Sequence, residues 1–391
     1  MIQTAEIFIF KNRFKLLVCL ATLSFSCSEH TPLRNERSDA ADGYDISYAK
    51  RFRLEKHNGY SQLSIINPWQ GANNVIQQWY LVQRGEKPPA GLDSSGIIEV
   101  PVQKIVCMST THLTMISALN ETATVIGFSG TKFIYGEGFA SKVSGGHLSD
   151  IGFEDNLNKE LVLKLNPDLI MVYGIGGESA GYMGKLKELG IKVLFNADYL
   201  ETDPLGKAEW IKMVGSLYAR QDMADSIFRD VENKYNQLKI FISENAAEKP
   251  KILLGLPFRD TWFISPGNSY ISRLLDDAGG DYLWKHTTSS VSMPTGIENV
   301  FLKALDADYW LNAGSAESLN EIMSIDPRLS ELRCFKNRNV FNNNKRINSN
   351  GGNDYWESGS LNPDIILKDI ATIIHPLLFS KNDLFYYKKL D

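Results

Sequence analysis

Asn158-Lys159-Glu160-Leu161-Val162-Leu163-Lys164-Leu165-Asn166-Pro167-Asp168-Leu169-Ile170 is the stretch on which the fold turns. The first eight residues predict a helix over 158–165, which Asn166-Pro167 closes because proline cannot continue it. The apolar run that follows predicts a strand over 169–173.

Outward from this unit the pattern repeats. Toward the N-terminus, 102–108 reads as a buried strand, 110–119 as a short helix begun by Ser or Thr residues able to cap it, and 125–128 as another strand. Toward the C-terminus, a helix over 183–189 is closed by Gly190 and followed by a strand over 193–195. Strand alternating with helix predicts a mostly parallel sheet covered on both faces.

A long helical tract interrupts the alternation. It covers 206–217 and then 222–245, with Met223, Ile227, Val231, Tyr235, Leu238 and Phe241 in steps of three and four, long enough to bridge two lobes. After Lys249-Pro250 the alternation resumes: strands over 252–256 and 262–264, helices over 270–278 and 298–305, a strand over 309–312, and a final helix over 364–375 stopped by Pro376. The fold class is therefore α/β, with two Rossmann-like lobes joined by a long backbone helix. Ligands commonly bind in the cleft between such lobes.

The N-terminus carries a different signal. Lys11, Arg13 and Lys15 precede the apolar run Leu16 to Leu23, then Ser24-Phe25-Ser26-Cys27. The run is shorter than the ~20 residues a permanent membrane helix needs and ends in small residues before a cysteine, as a lipoprotein leader does. The expected parts are a leader over 1–26, lipidation at Cys27 with a polar tether over 27–47, and a β-rich addition with its linker over 48–95. An N-terminal lobe over 96–205, the connecting helix over 206–248 and a C-terminal lobe over 249–391 complete the chain.

Among 391 residues, 43% hydrophobic and 22% charged content with a net charge of −5 describe a globular chain with no phosphate-neutralising stripe, so no nucleic-acid partner is expected. Cys107 and Cys334 lie far apart in apolar segments and read as buried free thiols.

Several segments in order resemble the Fe/B12 periplasmic-binding family of helical-backbone (class III) solute-binding proteins. Lys104-Ile105-Val106-Cys107-Met108-Ser109 is similar to the family's first strand and helix, and Asp150-Ile151-Gly152 with the 158–170 block to its helix-Pro-Asp-Leu-strand unit. Pro204-Leu205-Gly206-Lys207-Ala208-Glu209-Trp210 and Gly351-Gly352-Asn353-Asp354-Tyr355-Trp356 look like members from Bacteroidetes-type bacteria. The resemblance covers about 103–379 and leaves the 48–79 stretch outside.

The resemblance implies a lipid-anchored, monomeric solute-binding protein of an ABC importer, capturing an iron complex or corrinoid. It would deliver this cargo to permease and ATPase subunits at the membrane. The expected location is the periplasm, at the inner membrane in preference to the outer. One exposed glutamate on each lobe would dock on the permease, at positions matched here by Glu160, seven residues before Pro167, and Glu298.

Loops after strand ends supply the expected cleft wall: Thr131, Lys132 and Tyr135, then Tyr173, then Arg259, Trp262 and Trp284, with Tyr355 and Trp356 in a Gly-rich loop. Aromatic faces suit a flat macrocycle or a catecholate, and Lys or Arg its acidic groups.

His112, His147 and His286 lack ligand spacing, so neither a metal site nor a cofactor is expected. No His-Glu-x-x-His, phosphate loop or nucleophile elbow is present, and Gly174-Ile175-Gly176-Gly177 has Ser179 where a dinucleotide loop needs its third glycine. Enzymatic activity is not expected. Two rival readings stay open: a capturing or sensing surface lipoprotein without a permease, and a chelatase-like enzyme on a related fold.

Overall fold

Lys104, just before strand Ile105–Cys107, and Lys251, the first residue of strand Lys251–Leu254, each stand at the start of a strand in a five-stranded sheet, and the same device fixes both. In the computed structural model, which describes residues 43–153, 156–174, 184–379 and 384–391, the Asp168 carboxylate accepts the backbone N–H groups of Gln103 at 2.7 Å and Lys104 at 3.1 Å. The Asp168 N–H donates to the Lys104 carbonyl at 2.8 Å. Asp308 repeats this on Lys251, accepting its N–H and donating to its carbonyl, each at 2.8 Å. An arginine backs each carboxylate: Arg84 at 3.0 Å from Asp168, Arg333 at 2.7 Å from Asp308.

The N-terminal sheet is wholly parallel, in the order Ser149–Asp150, Val125–Phe128, Ile105–Cys107, Leu169–Val172, Val193–Phe195. Its three strands Ile105–Cys107, Leu169–Val172 and Val193–Phe195 are buried at every residue, as expected where helices cover both faces. The C-terminal sheet runs Asp281–Tyr282, Lys251–Leu254, Tyr309–Leu311, Val340–Asn342, Lys388–Lys389, with only the last strand antiparallel.

Helix Gln221–Asn245, about 37 Å long at ~1.5 Å per residue, joins the lobes. It buries Ala224, Phe228, Val231, Tyr235 and Ile242 on one stripe. That stripe packs against Trp210–Leu217, a helix buried all round, and against Pro363–Ile374 of the C-terminal lobe. The expected helix over 206–217 is two helices, Pro204–Ala208 and Trp210–Leu217, parted at Glu209.

The residue at the break ties down the N-terminal addition. The Glu209 carboxylate accepts the backbone N–H groups of Ser47 at 2.9 Å, Tyr48 at 2.7 Å and Ala49 at 2.8 Å. Glu201 accepts those of Lys50 and Arg51, both at 3.0 Å, and the Trp210 indole N–H at 3.1 Å. Residues 47–51 thus form a strap across the segment that leads into the long helix, and the Tyr48 hydroxyl donates to Glu232 on that helix at 2.7 Å.

Beyond the strap, Phe52–His57, Tyr60–Ile66 and Ile76–Gln83 form an antiparallel meander, extended by the parallel strand Ile97–Val100. The β-rich addition is thus a four-stranded sheet that runs past its expected end at 95. Phe52 meets Trp210 with ring centroids 4.9 Å apart. The Gln77 side chain donates to the Val193 carbonyl at 2.7 Å and accepts the Phe195 N–H at 3.1 Å, along the outer edge of the N-terminal sheet.

Strand Thr261–Ile264 pairs antiparallel with Met293–Gly296, across an intervening helix and strand, and the sequence does not announce this partner because Pro294 and Gly296 are poor strand formers. The leader, Cys27, most of the tether and the 175–183 stretch with its Gly-rich loop lie outside the described residues; the helix expected over 183–189 is described over 184–188. Cys107 and Cys334 are free and buried.

Candidate functional site: the interlobe cleft

The N-terminal wall is built on loops leaving strand ends. After Val125–Phe128 the chain turns at Gly130, whose φ of +74° and contact at 2.6 Å from a built Cβ to the Phe153 ring both require glycine. Asp150 holds this turn, accepting the N–H groups of Gly130 at 3.2 Å, Thr131 at 2.8 Å and Gly152 at 2.9 Å and the Thr131 hydroxyl at 2.9 Å. Burial pushes its carboxyl up, but these hydrogen bonds outweigh it and hold Asp150 below the usual carboxylate range.

The turn presents Lys132, exposed, with its ammonium 5.0 Å from the Phe133 ring centroid, and Phe133 lies 6.0 Å from Phe153. Tyr135 is half-buried under the Arg346 guanidinium at 5.1 Å, and Arg346 is held by Asp354 at 2.6 Å. After Leu169–Val172, the half-buried Tyr173 meets Tyr199 edge-on at 6.3 Å. Beside it, Trp69 of the N-terminal addition packs on Phe195 at 5.3 Å and against Gly174, so the addition reaches the strand ends of this lobe.

In the C-terminal lobe, Arg259 sits in the exposed tight turn closed between Phe258 and Thr261, φ +55°, with its guanidinium 5.3 Å from the ring of the exposed Phe258. Three expected wall residues are corrected. Trp262 is 0% exposed, donates its indole N–H to the Leu254 carbonyl at 2.8 Å and leans on Trp310; strand alternation turns it into the core. Tyr355 is 3% exposed and ringed edge-on by Trp356, Tyr386 and Tyr387. Trp284 is 8% exposed, packed on Tyr282 and covered by Lys303 at 5.1 Å. Trp356, at 58%, is the open aromatic of its loop.

Trp69, Phe133, Phe153 and Phe258 stand beside the candidate wall residues, and sequence reasoning did not single them out. Phe133, Phe153 and Phe258 lie within the loops that follow strands ending at Phe128, Asp150 and Leu254, a signal that could have found them; nothing in sequence connects Trp69 to strands a hundred residues away.

Glu160 and Glu298 occupy the same local position on opposite lobes, the second residue of helices Lys159–Leu165 and Ile297–Ala304. Both are exposed, and a carboxylate there is favoured by the helix dipole. Among the described residues no group of three His, Cys, Asp or Glu could hold a metal, and no helix is long and apolar enough to cross a membrane.

Residues 105–346 match the family described as periplasmic binding protein, and that span includes both sheets' central strands. The chain belongs to this family. As a periplasmic binding protein it is a binding protein and not an enzyme, and its class III fold follows from the same match.

Solved structures similar to this periplasmic binding protein share the fold at low identity. A periplasmic heme binding protein from Pseudomonas aeruginosa superposes with TM-score 0.54 and 16% identity, over 70% of this chain and 93% of its own. The periplasmic vitamin B12 binding protein of Vibrio cholerae gives 0.51 and 14%, over 72% and 99%. A periplasmic binding protein from Veillonella parvula gives 0.56 and 13%, over 81% and 98%. An uncharacterized lipoprotein of Methanocaldococcus jannaschii is 27% identical over 88% of this chain and 85% of its own. Because residues from 105 onward make up less than three quarters of the chain, that alignment must include part of the N-terminal addition.

Proposed function

We propose that this periplasmic binding protein is the substrate-binding lipoprotein of an ABC importer. It captures an iron complex (siderophore or haem) or cobalamin between its lobes and delivers it to an inner-membrane permease, acting as a monomer anchored through Cys27. The observation that carries the reading is the pair of exposed glutamates, Glu160 and Glu298, at the same helical position on opposite lobes. Paired carboxylates set orientation and encounter rate on a cationic partner. Lys132, Tyr135, Tyr173, Arg259 and Trp356 supply cations and aromatic faces suited to a partly aromatic, acidic chelate. Similar folds named for heme and vitamin B12 binding support that ligand class, and a relative named lipoprotein supports the anchor.

The test is a tryptophan-fluorescence titration of the full chain in detergent with haemin, cyanocobalamin and ferric siderophores, corrected for absorbance and for uptake by empty micelles. Saturable quenching at micromolar concentration or below by one class names the cargo. Silence from every class removes the metal-chelate reading.

A further inference from the structure

The two lobes are bonded to each other along one margin. There residues 348–357 of the C-terminal lobe meet 131–136 of the N-terminal lobe. The Glu357 carboxylate reaches across and accepts the backbone N–H groups of Tyr135 and Gly136, each at 2.8 Å. The Asn348 side-chain amide donates to the carbonyls of Lys132 at 3.1 Å and Ile134 at 3.0 Å. Gly352 lies so close that a Cβ built on it would come within 2.1 Å of the Phe133 carbonyl oxygen. Arg346 completes the clasp by stacking on the Tyr135 ring.

Sheet order places the other margin on the far side. The bonded loops leave strands Val125–Phe128 and Val340–Asn342, whereas residues 202–203 and 284–286 follow Val193–Phe195 and Asp281–Tyr282, at the outer edges of the two sheets. On that side Lys50, Thr202 and Asp203 are separated from Asn268, Arg273 and His286 by a cavity of about 530 Å³. A smaller cavity of about 400 Å³ also lies beside Tyr135 and Arg346 at the bonded margin, so the margins differ in their bonds: one is joined by the hydrogen bonds above, whereas at the other the Lys207 ammonium lies over the Tyr270 ring at 5.3 Å.

We propose that Glu357 and Asn348 are positioning residues that latch one margin of the cleft, holding Tyr135 in the wall, so that the lobes part from the opposite margin. The inference rests on the cleft being the ligand site, but the latch is testable without ligand. Glu357 is 4% exposed, so its bonds are charge-assisted and shielded from water, and removing it leaves two N–H groups without their acceptor.

Hydrogen–deuterium exchange on the ligand-free full chain reads the latch. Two variants separate its parts: Glu357→Ala removes the acceptor, and Gly352→Ala keeps it but wedges a methyl group against Phe133. In Gly352→Ala the amides of Tyr135 and Gly136 should exchange ~10-fold faster although their acceptor remains, while the sheet amides of both lobes keep their protection. Unchanged protection of Tyr135 and Gly136 in Gly352→Ala overturns the proposal, as does exchange that rises only together with both sheets in each variant. Haemin or cyanocobalamin, whichever the wild-type chain binds, should leave both variants ~10-fold faster, since affinity differences within one site appear mostly in off-rate. Silence of the wild type toward these two and toward ferric siderophores defeats the ligand reading, and the exchange result still decides the latch.

Discussion

Glu209 Oε2 accepts the Tyr48 backbone N–H at 2.7 Å across 161 positions of sequence, and with this bond the N-terminal strap is tied to the start of the long helix. The carboxylate is fully buried and also neutralises Lys212 at 2.9 Å. Glu209→Ala would leave three amides without their acceptor and take the buried counter-charge from Lys212, which keeps the Asp45 carbonyl at 2.6 Å, and the expected loss is ~3–5 kcal/mol of folding stability. Thermal melts should show it, and limited proteolysis should release the segment before residue 52 in the variant first.

Because Asp168 and Asp308 fix the first strand of each sheet in the same way, their alanine variants should behave alike. Each should lose ~1–3 kcal/mol, with the larger loss at Asp168, which holds two backbone amides where Asp308 holds one. Urea unfolding should show lower midpoints with an unchanged slope, since the surface exposed on unfolding is the same.

His112 lies fully buried in helix Thr110–Ala118, and neither ring nitrogen has a partner among the described residues. Burial pulls its pKa from 6.5 down to about 3. The unfolded chain therefore takes up this proton below pH 6.5 while the folded chain does not. The stability contributed by the neutral ring is complete above 6.5 and is lost as pH falls toward 3, at ~1.4 kcal/mol per pH unit. His112→Leu removes that slope, so the stability difference between wild type and variant should shift by this amount per unit between pH 6 and pH 4. A constant difference would show that His112 titrates normally.

Charge reversal at Glu160 and Glu298 separates importer from capture protein. Glu160→Arg with Glu298→Arg should lower uptake of the cargo at least ~10-fold without altering its affinity, because both side chains are solvent-exposed. At Glu298 the new arginine would also face Arg328, now 3.5 Å away. Unimpaired uptake would favour a lipoprotein that works without a permease.

The parallel strands, the long helix and the 158–170 block were legible in the sequence because apolar runs and proline-closed helices report local structure directly. The duplication of the Lys-Ile start and the following Asp was present in Lys104-Ile105 with Asp168 and in Lys251-Ile252 with Asp308, yet Pro167 is replaced by Ala307, which hides the repeat. The wall was harder. Trp262, at the start of an expected strand, and Tyr355, in an expected loop, read in sequence as open to the cleft, but one lies in a strand and the other on a short helix that turn them inward. Glu201, Glu209 and Glu357 look like ordinary surface acids; their partners are backbone amides 150 or more positions away, and no spacing in the chain announces such a pairing.

The Gln77 side chain, bonded to Val193 and Phe195, acts as a borrowed peptide group on the outermost strand of the N-terminal sheet. A bare strand edge is a template on which another chain can add, and natural folds blunt such edges. Here the blunting comes from outside the family's common domain. A chain without the addition would leave this border unsealed, open to self-association in solution.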